Sequence, residues 1–80
     1  MIDEVRYDES AAEFLRTHPR AEEARLFVEA LRRGQAVPGA LTDLDQYGRS
    51  LAVLPDSGHV IRWHYAGMRR NILVIDEIYE

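Results

Sequence analysis

The stretch Arg49-Ser50-Leu51-Ala52-Val53-Leu54-Pro55-Asp56-Ser57-Gly58-His59-Val60-Ile61-Arg62-Trp63-His64-Tyr65 decides the fold. Apolar and polar side chains alternate on both sides of a Pro-Asp-Ser-Gly break, the period of a strand, a turn and a returning strand. Asp56-Ser57-Gly58 predicts a three-residue hairpin loop with Gly58 at positive φ. That loop sets Pro55 opposite His59, Val53 opposite Ile61 and Leu51 opposite Trp63. Leu51, Val53, Ile61, Trp63 and Tyr65 then share one face, which a two-residue loop would scatter. Ser50, Ala52, Val60, Arg62 and His64 take the other.

Downstream, Ala66-Gly67 opens a second turn, and Asn71 to Ile78 reads as the last strand. Its run Ile72-Leu73-Val74-Ile75 predicts burial on both faces in the sheet interior. Upstream, residues 35–48 are the loosest part of the chain. Pro38-Gly39 marks a turn, Leu41 and Leu44 are expected to anchor the loop on the core, and Asp43 and Asp45 read as turn acids rather than metal ligands.

Before Gly34 the period is helical. Ala24, Phe27, Val28 and Leu31 stand at i, i+3, i+4 and i+7, with Glu29–Arg33 and Arg25–Glu29 spaced for ion pairs. Arg32 and Arg33 suit the helix end and Gly34 the left-handed position after it. Thr17 or His18 is expected to cap this helix, with Pro19 in its first turn. A shorter helix carrying Ala11, Phe14 and Leu15 precedes it, capped by Asp8 or by a Ser10–Glu13 capping box. Ile2 to Tyr7 forms an opening strand. The expected architecture is one α+β domain over residues 1–80, β-α-α-β-β-β, a helical pair on a small antiparallel-dominated sheet whose first and last strands are neighbours. Phe27, Leu31, Ile61, Trp63 and Val74 are expected to be buried together.

Composition narrows the chemistry. The 80 residues contain no Cys, which excludes disulfides, thiolate metal sites and a Cys nucleophile. No run approaches the roughly 18 apolar residues of a membrane span, and Met1-Ile2-Asp3-Glu4 lacks a signal-peptide pattern, so a cytoplasmic location is expected. The net charge is −4, against a nucleic-acid-binding field, yet all ten bases are Arg, whose planar fork suits phosphates and carboxylates.

In its order of elements the chain resembles the RelE/ParE toxin superfamily. Tyr7-Asp8-Glu9-Ser10-Ala11 with Leu15 is similar to that family's strand, cap and first helix. His18-Pro19 with Ala24, Phe27, Val28, Ala30 and Leu31 is similar to its second helix, and Gly58, Val60, Ile61, Trp63 and Ile72-Leu73-Val74-Ile75 to its hairpin and central strand. The resemblance implies the toxin of a type II toxin–antitoxin pair, bound by an antitoxin protein and acting without a cofactor. Such toxins cut mRNA in the ribosome or poison DNA gyrase. Alignment puts Leu51, Val53 and Val60 at three positions where RNA-cutting members carry bases; a one-residue shift puts His59 at the last of them. Tyr79 stands for the family's terminal Tyr, with acidic flanks.

Cleavage of RNA without metal needs a proton acceptor for the 2′-hydroxyl, a donor for the leaving oxygen, and cations on the phosphate. His64 and Arg62, two residues apart on one strand face, are the candidate catalytic pair, with Tyr79 as support for the leaving group. Arg49, His59, Arg69 and Arg70 are candidate RNA contacts, and Tyr47 and Tyr65 are further possible neighbours. His59, beside Gly58, reads as an exposed turn residue. His59 and His64 fall on opposite strand faces, and no metal site is expected from them. The competing readings are a solvated face whose His and Arg pair with acids, a catalytically silent module that binds a protein, and a gyrase inhibitor. Arg32, Arg33, Arg69 and Arg70 are expected to suit an acidic partner peptide.

Overall fold

Helical and strand periods divide the chain as expected, with one additional strand. A computed structural model describes residues 2–35 and 37–80; Ala36, within the loose stretch, and Met1 lie outside the described residues. The elements are β1 (Glu4–Tyr7), α1 (Glu9–Thr17), α2 (Glu22–Arg32), β2 (Leu41–Leu44), β3 (Ser50–Val53), β4 (Val60–Ala66) and β5 (Ile72–Tyr79). They build a five-stranded sheet in the order β1-β5-β4-β3-β2. β1 runs parallel to β5 and every other neighbouring pair is antiparallel. Among the described residues no helix is long and apolar enough to cross a membrane.

The helices cover one face of this sheet. Ala11 of α1 and Ala24, Phe27 and Val28 of α2 are buried with Ala52, Leu54, Ile61, Trp63, Leu73, Ile75 and Ile78. Phe27 meets Trp63 edge to face, with ring centroids 5.4 Å apart, a geometry worth about 0.5–1.5 kcal/mol beyond the area buried. Leu31 is only partly buried at the margin of this cluster. Val74 is not part of it: it pairs with His64 on the opposite face, because Leu73 and Ile75 take the inward positions of β5.

The helix ends differ from expectation. Asp8 occupies the N-cap of α1, but its side chain makes no capping bond, and Glu13 pairs with Arg16 rather than closing a box with Ser10. The Asp8 amide instead donates to the Ile75 carbonyl at 2.9 Å, continuing the parallel ladder. Pro19 does not enter α2. His18 closes α1 with extended geometry, as a residue before Pro must, and α2 begins only at Glu22 behind Ala21. Arg25 pairs with Glu22 at 3.7 Å and donates to the Leu15 carbonyl, not to Glu29, while Glu29–Arg33 forms at 3.3 Å.

The hairpin register is one residue off the expected one. Ser50 faces Trp63, Leu51 faces Arg62, Ala52 faces Ile61 and Val53 faces Val60. The loop has four residues, Pro55 to Gly58: the Leu54 amide donates to the His59 carbonyl at 2.8 Å, and the Gly58 amide to the Leu54 carbonyl at 3.0 Å. Pro55 has no N–H to give His59, so the closing pair moves back to Leu54. Ala52 and Leu54 thereby enter the core, and Leu51 and Val53 turn to the other face, half-buried.

Residues 35–48 are not simply loop. Leu41–Leu44 adds to β3 as an edge strand, and Leu41 and Leu44 are exposed rather than core anchors. The turn that follows is organised by Asp45, whose Oδ1 accepts the amides of Tyr47 at 2.8 Å and Arg49 at 2.9 Å. Desolvation pushes the Asp45 carboxyl upward, but these amides and the charges of Arg62 and Arg49 outweigh it and hold it below its ordinary range.

Candidate functional site on the open sheet face

The face of the sheet away from the helices carries a charged centre. It depends on an irregularity in β5. Glu77 pairs with Arg62 but Ile75 with Trp63, leaving Asp76 as an extra residue. Such a bulge resets the strand's alternation. Val74, Glu77 and Tyr79 therefore stand across from His64, Arg62 and Val60, and Ile78 returns to the core.

Asp76 is nearly buried, and its carboxylate joins two basic groups. Oδ2 lies 2.8 Å from His64 Nδ1, and Oδ1 lies 3.5 Å from an Arg49 guanidinium nitrogen. A carboxylate at Nδ1 takes that nitrogen's proton as a hydrogen bond and leaves Nε2 with its lone pair, free to exchange protons. Nε2 of His64 has no hydrogen-bond partner among the described residues. Beside this pair, Arg62 lies 3.4 Å from Glu77 and stacks 5.6 Å above the Tyr79 ring. Its buried Nε has no hydrogen-bond partner among the described residues. Arg62 also borders a shallow 390 Å³ depression with Leu51, Asp45, Gln46 and Tyr47. His64, Arg62, Tyr79 and Arg49 are thus brought to one face, with cationic groups, an oriented imidazole and a phenol around an open surface.

The other sequence candidates lie elsewhere. His59 is 3 % exposed, not a turn residue in solvent. It shares the inward parity of Ile61 and Trp63 and packs edge-on against Phe14 and His18, at centroid distances of 5.0 and 4.9 Å. From there it cannot reach RNA on the open face. Arg69 and Arg70 belong to the β4–β5 turn. Arg70 stacks 5.8 Å from the Tyr65 ring, and Tyr65 lines a separate groove with Ile2, Leu31, Arg32 and Arg33. Arg70 therefore sits beside Tyr65, not beside His64. Tyr65, inward like Trp63, is likewise outside the His64 site.

Asp76 is the functional residue that sequence reasoning missed. Its only signal is local: Ile75-Asp76-Glu77-Ile78 puts two acids between apolar residues that both need to face inward, which a strand can satisfy only by bulging. Compared with protein-family models, curated proteins and solved structures, the chain matches none of them.

Proposed function

We propose that this chain is a RelE/ParE-like toxin of a type II toxin–antitoxin pair that cleaves ribosome-bound mRNA on its open sheet face. The observation that carries this reading is His64 held by nearly buried Asp76, on the same face as Arg62. His64 Nε2 removes the proton of a ribose 2′-hydroxyl, the 2′-oxygen attacks the adjacent phosphorus, and the bond to the 5′-oxygen breaks. The leaving 5′-oxygen takes a proton from water, so the products are a 2′,3′-cyclic phosphate and a new 5′-hydroxyl. Asp76 keeps the imidazole in the acceptor tautomer and steadies the imidazolium that forms.

Arg62 meets the charge that develops on the phosphate, with Arg49 behind it. Swinging Arg62 away from Glu77 costs little, since a pair this open to water is worth about 0–1 kcal/mol. Tyr79, beneath the Arg62 guanidinium, supports the leaving oxygen with a hydrogen bond in this reading. An antitoxin lying over this face would silence the toxin by covering His64 and Arg62.

A second reading is favoured by the pairing of Arg62 with Glu77 and of Arg49 with Asp76, among half-buried Leu51, Val53, Val60 and Val74. Such a face suits a silent module that only binds a protein. Ribosome-dependent mRNA cleavage separates the two. The native chain cuts and the His64→Ala and Arg62→Ala variants lose about 10²–10⁴-fold in rate under the first reading. Equal cleavage by all three removes His64 and Arg62 from the chemistry, and no cleavage by the native chain leaves the binding module.

A further inference from the structure

We propose that His18, His59 and Glu80 form a binding site for a divalent transition metal of the zinc class, which ties the end of β5 to α1 and the β3–β4 hairpin. One ligand atom from each of the three lies within 4.8 Å of the others. The Glu80 carboxylate Oε1 stands 2.6 Å from His18 Nε2 and 3.7 Å from His59 Nε2. Ligand atoms of a tetrahedral zinc centre with bonds near 2.0–2.1 Å are about 3.3 Å apart. An exposed Glu80 reaches that spacing from each imidazole by shifts of well under 1 Å, and the two imidazole nitrogens, within 4.8 Å of each other, close by up to about 1.5 Å.

Two observations point to a ligand rather than to a surface ion pair. His59 is 3 % exposed, and its Nε2 faces Glu80 Oε1 at 3.7 Å, beyond hydrogen-bond reach. A metal between the two gives Nε2 a close partner, while the ring proton stays on the buried Nδ1, which has no partner among the described residues. The second is the setting. Phe14 stacks on His18 with centroids 4.4 Å apart and meets His59 edge-on, so an apolar wall closes one side while Glu80 opens to solvent. Two imidazoles and one carboxylate suit zinc better than magnesium, which demands oxygen ligands.

The proton balance gives the site a signature. His18 Nδ1 accepts the Arg20 amide at 3.0 Å, so the proton of the neutral ring sits on Nε2 and is donated to Glu80. A metal takes the Nε2 lone pair, and the ring proton moves to Nδ1. The Arg20 amide then loses its acceptor, and because Arg20 is exposed, water replaces it.

The test is a titration of the untagged, chelator-treated chain with Zn²⁺, and separately with Mg²⁺, followed by calorimetry, thermal unfolding and amide NMR. Expected are one Zn²⁺ per chain and a Tm rise of about 10–20 °C at a hundredfold excess over Kd. The Arg20 amide resonance should shift, and Mg²⁺ should change none of these. His18→Gln and Glu80→Gln, at a largely buried and an exposed position, should each weaken Zn²⁺ binding at least about tenfold, the exposed Glu80→Gln being the variant that leaves packing intact. His64→Ala should leave it unchanged. Zn²⁺ binding that is absent, that leaves the Arg20 amide in place, that survives both Gln variants, or that disappears in His64→Ala overturns the site.

Discussion

The two faces of the sheet use the same strands for opposite ends. Toward the helices, β3, β4 and β5 present Ala52, Leu54, Ile61, Trp63, Leu73, Ile75 and Ile78, all buried. Toward solvent they present Leu51, Val53, Val60, Arg62, His64, Val74, Glu77 and Tyr79, with Asp76 as the one nearly buried charge. The covered face gains its free energy from area removed from water, with His59 buried at its margin against Phe14. The open face gives up that area, and in exchange its side chains can be charged, paired and reached. A chain of this length hides only about 60–65 % of its unfolded surface, so stability and chemistry must be divided between faces rather than between layers.

The sharpest way to break this comparison is to remove the largest side chain on the covered face. Trp63→Ala should cost about 3–5 kcal/mol, through lost burial and the cavity left against Phe27. Urea unfolding measures it. His64→Ala, the next residue along β4 but on the other face, should cost less than half as much. Comparable losses would mean that the open face is covered too.

Leu54 and Leu51 sharpen the register itself. Leu54 is 1 % exposed and Leu51 half-buried on the open face, so Leu54→Ala should cost about 2–4 kcal/mol and Leu51→Ala about 1 kcal/mol or less. The reverse order would restore the hairpin with the shorter loop. This pair also marks where the sequence stops being legible. Alternation around Pro55 reveals two strands, and the helical stripe Ala24, Phe27, Val28 reveals what covers them. Which alternate set faces inward depends on one backbone donor, the N–H that Pro55 lacks. β2 left no pattern because an exposed edge strand has no inward set to encode. The His64–Arg62 pair was visible as spacing on a strand, but Asp76 was hidden by the bulge that delivers it. His18, His59 and Glu80 come from three distant parts of the chain, and no local spacing announces such a meeting.

A smaller effect is expected where α2 holds the hairpin loop. Glu23 accepts the amides of Asp56 at 2.8 Å and Ser57 at 2.9 Å, and the Ser57 hydroxyl at 2.5 Å. Desolvation, the largest single influence, raises the Glu23 carboxyl, but these donors together outweigh it and lower it from its ordinary 4.5. Because the folded value is the depressed one, the ionised latch contributes fully above the unfolded value and is lost as pH falls through the folded value. Glu23→Gln should cost about 1 kcal/mol at pH 7, with the difference from the native chain shrinking below pH 4.5. A gap that is constant from pH 7 to acid would remove the carboxylate from the loop.

The smallest effect belongs to β2, which lies beyond the reach of both faces' work. All four of its residues are exposed, Leu44 at 63 %, and its outer edge offers unpaired backbone groups. Leu44→Lys removes no buried area and keeps the backbone amide, which donates to Asp43 Oδ1 at 2.8 Å. The change in stability should stay within about 0.5 kcal/mol. A Lys on an edge strand also disfavours pairing with another strand, so the variant should self-associate less than the native chain at high concentration, as sedimentation would report. A loss above about 2 kcal/mol would place Leu44 in the core after all. That result would extend the covered face to the fifth strand and undo the division between the faces at this edge.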